Sequence, residues 1–69
     1  MNKRINKLTD KQIYILEQVA AGKSDGEIAK ELEYSIGNIR RHIDKMLVIF
    51  DVGNRTALAA QAIRNKVIK

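Results

Sequence analysis

"GKSDGEIAKELEYSIGNIRRH" occupies Gly22–His42, and its reading decides the fold. It holds two short amphipathic segments separated by Glu33-Tyr34-Ser35, and the charge changes sign across that break. From Gly22 to Glu33 there are four acids against two lysines; from Tyr34 to Phe50 there are three basic residues (Arg40, Arg41 and Lys45) against Asp44. Ser24 is a good N-cap, and Glu27, three residues on, completes a capping box. Asp25 and Glu27 suit the positive end of that helix's dipole. Ile28, Ala29 and Leu32 then point inward. Ser35 caps the next helix, where Ile39, Ile43, Met46 and Phe50 recur at helical spacing as a buried stripe. Two helices joined by two or three residues have the geometry of a helix-turn-helix. The change of sign then has a reason. The second helix stands back from a polyanion, and the third carries its cations forward.

The flanks extend the same pattern. Thr9 caps a first helix, Gln12 completes its capping box, and Leu8 is placed for a hydrophobic staple. Ile15, Leu16, Val19 and Ala20 form one face, and Gly22 supplies the positive φ that ends the helix cheaply. After the third helix (about 36–50), Gly53 closes the connector that follows Val52, and Asn54 caps a fourth helix. Its Leu58, Ala62 and Ala59 are expected to face the body. Ala57, Ala59, Ala60 and Ala62 make that helix a strong helix former that allows close approach. The expected fold is all-α: residues 1–7 form a basic leader and 8–69 a four-helix domain.

Composition narrows the function. A chain of 69 residues has room for one modest core. The absence of cysteine excludes disulfides and thiolate metal sites, and one histidine does not make a zinc site. The longest apolar run, "MLVIF" at Met46–Phe50, falls far short of the roughly 18 residues a membrane span needs. "MNKRINK" is basic but has no apolar run after it, so it is not a signal peptide. A cytoplasmic location follows by default. The net charge of +5 and a pI of about 9.8 favour a polyanionic partner. An enzyme is not expected: paired carboxylates, an activated nucleophile and a phosphate loop are all missing. No cofactor or metal is expected either.

Taken together, these segments resemble the LuxR/NarL-type (GerE-like) helix-turn-helix domain. The family opens with Leu-Thr and ends its first helix with Ala-x-Gly, here Leu8-Thr9 and Ala20-Ala21-Gly22. Its Glu-Ile-Ala and following leucine match Glu27-Ile28-Ala29 and Leu32. After Ser35, its Thr-Val-Lys-x-His stretch is present as Asn38-Ile39-Arg40-Arg41-His42, and its closing Val-x-Asn-Arg as Val52-Gly53-Asn54-Arg55. The resemblance runs from Leu8 to about Ile68. The chain departs from the pattern at Gln12, Asn38, Ile49-Phe50 and Lys66, the last standing where glycine often ends the final helix. Asp44 departs most, because it matches a position that can carry a DNA-contacting lysine. A carboxylate there repels phosphate or accepts from cytosine N4.

On this basis Arg40 is the first candidate for base readout, since an arginine addresses guanine O6 and N7 together. Arg41 is the second. Asn38 and Lys45 position the duplex, Ser35 is a cap that also approaches phosphate, and Lys23 is a candidate backbone contact. His42 is a poor catalyst without a partner and is expected at the edge of the core, with one nitrogen toward the backbone or a phosphate. Lys3, Arg4 and Lys7 form either a basic arm or a solubilising tail. Arg55 is expected to tie the fourth helix to the first two, with an acceptor not identified. The resemblance further implies a homodimer through the fourth helix, for which Ala59, Ala62, Ile63 and Leu47 are the candidate contacts.

The function expected is a sequence-specific, DNA-binding transcriptional regulator that places its third helix in the major groove of double-stranded DNA. Family members usually carry a further regulatory domain, for which this chain has no room. Met1 and the short leader lean toward a stand-alone member. RNA polymerase or another regulator is a candidate partner; a membrane is not. One alternative is a protein–protein adaptor that uses the same fold and binds through Leu47–Ile49. A second, the DNA-binding part of a polymerase specificity factor, sits badly with the Val-x-Asn-Arg closure.

Overall fold

The computed structural model describes residues 7–69, so Lys3 and Arg4 of the basic leader lie outside the described residues. Four helices follow in order: α1 (Asp10–Ala20), α2 (Asp25–Leu32), α3 (Ile36–Phe50) and α4 (Arg55–Arg64). Each begins at the cap its sequence indicates. Thr9 Oγ1 accepts from the Gln12 amide while the Thr9 amide donates to Gln12 Oε1, at 3.1 and 3.0 Å. Ser24 and Glu27 make the same reciprocal pair on α2 at 3.2 and 3.0 Å. Ser35 Oγ accepts from the Asn38 amide and Asn54 Oδ1 from the Ala57 amide, which satisfies donors a helix start otherwise leaves orphaned.

The helix ends share one device. After α1, the Gly22 amide donates to Val19 and the Lys23 amide to Gln18, a Schellman motif around Gly22 at φ +86°. The same pair of bonds closes α2 around Glu33 (φ 58°), α3 around Asp51 (φ 55°) and α4 around Lys66 (φ 60°). Gly53 is therefore not the residue that reverses the chain after α3; Asp51 does so two positions earlier. Lys66 takes the left-handed conformation where the family pattern has glycine. The residues next in line after those three reversals, Tyr34, Val52 and Val67, pack half-buried against the core, as the motif's apolar contact requires.

The stripes read from the sequence meet in one core. Ile15, Leu16, Ile28, Ile39, Met46 and Leu58 are its largest fully buried side chains. α1 packs on α4 and α3, α2 on α3, and α3 also on α4. Ala20 is exposed rather than part of the α1 face, and Leu32 is only half-buried. Ile68, in the tail beyond α4, is 6% exposed and closes one side of the core. No helix among the described residues is long and apolar enough to cross a membrane.

Candidate nucleic-acid interface

The α2–α3 turn puts the outer face of α3 at the surface. Its buried stripe fixes the rotation of the helix, since Ile39, Ile43, Met46 and Phe50 must all point inward. Arg40 and Asp44 then lie one turn apart on the outside, and Arg41 and Lys45 form the adjoining row; all four are exposed. Asn38 is exposed at the helix start beside Ile36, which is 45% exposed. Ser35 is exposed too, with its hydroxyl engaged as the cap. The structure thus gathers Ser35, Asn38, Arg40, Arg41, Asp44 and Lys45 on one helix face and its start.

His42 is set back from this face. Its ring stacks on Tyr34 at 6.5 Å between centroids and 16° between planes. Its Nδ1 is buried without a hydrogen-bond partner. Lys11 Nζ lies 4.8 Å from the centre of the Tyr34 ring. A column from α1 through the turn to α3 is held by aromatic stacking and a cation–π contact. His42 therefore sits at the core's edge, as the sequence indicates, but its Nδ1 meets no backbone group there.

Lys23 is engaged within the chain. Its ammonium is held by Glu31, whose other oxygen accepts from the Tyr14 hydroxyl at 2.9 Å. The hydrogen bond to Glu31 raises the Lys23 pKa, and the bonds from Lys23 and then Tyr14 lower that of Glu31. The same carboxylate, chiefly through its hydrogen bond, raises the Tyr14 pKa. Lys23 thus braces the α1–α2 connector against α2, with its side chain still 34% exposed.

Arg55 finds the acceptors the sequence could not identify. Its Nη1 donates to Asp25 Oδ1 at 2.7 Å and its Nη2 to the Lys23 carbonyl at 3.0 Å. α4 is thereby tied to the α1–α2 connector and to the start of α2. The other oxygen of Asp25 accepts from Arg40 Nε at 3.4 Å. Asp25 is the functional candidate that sequence reasoning missed. It read as a dipole-favouring residue of a first turn, and its partners lie 15 and 30 positions away, beyond any local rule.

The candidate dimer contacts separate. Ala62 is fully buried in its own core and has no surface left for a second copy, which corrects its assignment. Ala62 instead faces the body with Leu58, the other role the sequence gives it, and both are fully buried. Ala59 and Leu47 are half-buried, and Ile63 is 49% exposed. Of the Leu47–Ile49 run, Val48 is the outward residue at 67% exposure, and with Ile49 it lines a shallow groove rimmed by Lys7, Gln12 and Lys45.

A capped turn joining α2 to α3, a cationic outer face on α3, and two further helices packed against α3 define a four-helix helix-turn-helix domain. The model of the family described as "Bacterial regulatory proteins, luxR family" matches residues 6–62, and the chain belongs to that family. It is 38% identical over 61 residues to the transcriptional regulatory protein LiaR of Bacillus subtilis (strain 168), covering 88% of this chain and 29% of LiaR. It is 44% identical over 50 residues to the transcriptional regulatory protein DesR of the same strain, covering 72% of this chain and 25% of DesR. The putative HTH-type transcriptional regulator YhjB of Escherichia coli (strain K12) is 35% identical over 57 residues, 83% of this chain and 28% of YhjB. The chain thus spans between a quarter and three tenths of the length of these relatives.

Proposed function

We propose that this chain is a sequence-specific, DNA-binding transcriptional regulator that acts by occupying double-stranded promoter DNA, with α3 in the major groove and two copies on related half-sites. The observation that carries this reading is the outer face of α3: Arg40, Arg41 and Lys45 exposed together on a helix whose start is pinned by the Ser35 cap. Arg40 reads a base edge, Arg41 supports it, and Asn38 and Lys45 set the duplex by phosphate contacts. Ser35 approaches a phosphate through the helix start. Asp44 lowers general affinity and favours cytosine at its position. Ile63 and Ala59 form the contact between copies. Names of the relatives point the same way, toward transcriptional regulation.

The test is selection from a randomised duplex library at about physiological salt, with competitor DNA present. A recurring half-site is expected. Arg40→Ala then lowers affinity for the selected duplex by about tenfold while changing nonspecific binding far less. Failure to select any motif sinks the reading. Equal losses on both DNAs make Arg40 a backbone contact.

A second reading is favoured by one observation. Val48 is exposed beside a groove with a basic rim, which suits an adaptor that binds a protein partner through α3's C-terminal half. Loss of partner binding in Val48→Ser with DNA affinity intact would support it.

A further inference from the structure

Asp25 joins two arginines from different helices, and each takes one carboxylate oxygen. Arg55 Nη1 holds Oδ1 at 2.7 Å, and Arg40 Nε donates to Oδ2 at 3.4 Å. The Asp25 side chain is 19% exposed, whereas that of Arg40 is 69% exposed. Arg55 is itself anchored by the Lys23 carbonyl. The short pair with Arg55 orients the carboxylate, and its second oxygen faces Arg40 across a long 3.4 Å contact.

Which nitrogen of Arg40 is engaged matters. A guanidinium carries one N–H on Nε and four on its two Nη atoms in a rigid plane. Donation from Nε biases the tilt of that plane and leaves the Nη pair for a second acceptor group. Guanine is the base that offers two acceptors side by side, O6 and N7; adenine offers N7 beside an amino donor, which opposes a second N–H. An arginine biased toward one orientation before contact loses less rotamer freedom on binding.

We infer that Asp25 is a positioning residue that holds Arg40 with its Nη edge outward, and so selects guanine in the half-site. This rests on the reading of α3 as the groove helix. It also explains why a carboxylate stands at the edge of a surface built to meet phosphates. Asp25 opposes nonspecific binding through its charge and favours one base through Arg40. Removing it therefore moves specific and nonspecific binding apart. Loss of a merely structural tie would lower both together.

Asp25→Asn is the sharpest variant. The amide oxygen keeps an acceptor for Arg55, while the amide NH2 turned toward Arg40 has nothing to accept Nε–H with. The test measures binding of the full chain to the selected duplex, to a scrambled duplex, and to the selected duplex with each guanine in turn replaced by 7-deazaguanine, which lacks the N7 acceptor. In the native protein one such replacement is expected to cost about tenfold. In Asp25→Asn that cost shrinks below about threefold, within the range set by loss of a bidentate contact, while scrambled DNA binds as well or better. In the free protein, the Arg40 Nε–H resonance exchanges faster with water in Asp25→Asn than in the native chain. An unchanged cost at that guanine, or parallel losses on both duplexes, overturns the inference. Arg40→Ala separates the two readings. If it also leaves every guanine cost intact, Arg40 is not the base reader at all. If it abolishes one that Asp25→Asn leaves standing, only the role of Asp25 fails.

Discussion

Arg55 shows what a single side chain contributes to a core this small. Its two Nη groups reach a carboxylate on α2 and a carbonyl in the α1–α2 connector, and its side chain remains 39% exposed. Hydrogen bonds that involve a charged group are worth more than neutral ones, and truncation leaves the half-buried Asp25 with its strongest partner gone. Arg55→Ala is expected to destabilise the fold by about 2 kcal/mol, seen as a lower urea midpoint at unchanged slope. Arg55→Lys recovers only part of this, because an ammonium cannot bridge two acceptors with a planar fork. A midpoint unchanged in Arg55→Ala would mean that the ion pair contributes nothing. That Arg55 ties α4 back to the first helices was legible in the sequence, from its place near the start of the fourth helix. That Asp25 receives it was not, since the partner is chosen by tertiary packing across 30 positions.

Helix starts and ends differ in how much of them the sequence discloses. All four starts are legible because a cap and its partner lie three residues apart, as in Thr9–Gln12 and Ser24–Glu27. Of the four ends, the reversal at Gly22 is legible and Lys66 stands where the family pattern has glycine; that at Glu33 is hidden because glutamate seldom takes positive φ, and that at Asp51 because Gly53 draws the reading two residues downstream. A side chain at positive φ carries a steric cost that glycine lacks. Glu33→Gly, at an exposed position in the α2–α3 turn, is expected to raise stability by about 0.5–1 kcal/mol in thermal unfolding. A decrease would mean that the glutamate side chain does more than the backbone geometry implies. The two capping boxes also differ in chemistry. Gln12 does not titrate, but Glu27 does, and hydrogen bonds from the Ser24 amide and then its hydroxyl hold the Glu27 pKa below its ordinary value. The unfolded chain therefore binds this proton more readily than the folded one. The stabilisation is complete above the ordinary glutamate pKa and is lost as pH falls through the lower folded value. Glu31, lowered by its bond from Lys23, acts in the same direction. Urea midpoints measured from neutral pH to about pH 3 should fall less steeply in Glu27→Gln, which keeps an acceptor for Ser24 but no longer titrates. An identical acid slope would assign the loss to other carboxylates.

For the whole molecule, the deciding question is which surfaces the fold keeps for itself and which it leaves for partners. α4 is where the sequence assigns one residue to two surfaces, since Ala62 reads both as facing the body and as a contact between copies. Ala57, Ala59, Ala60 and Ala62 look alike in a hydrophobic pattern, yet Ala62 is fully buried while Ala60 is exposed. Ile68 settles into the core from beyond the helix, a position no periodicity of α4 indicates. With these inward, the strip left outside runs through Thr56, Ala60 and Ile63, with Ala59 at its edge. A branched apolar side chain among small neighbours lets a second α4 approach closely about a two-fold axis. In the proposed dimer, each domain holds its partner at the neighbouring half-site, so the second binding event is effectively intramolecular. Ile63→Asp places a charge at the centre of that contact while leaving the core untouched. It is expected to weaken binding to a duplex with two half-sites by about tenfold or more, through loss of this coupling. Affinity for a single half-site and the thermal midpoint should stay within error of the native chain, because neither α3 nor the buried side of α4 changes. If both duplexes lose affinity equally, Ile63 acts through the fold or the DNA rather than through a partner copy. If neither does, the copies meet elsewhere, and the half-buried Leu47 with the exposed Val48 on α3 becomes the surface to alter next.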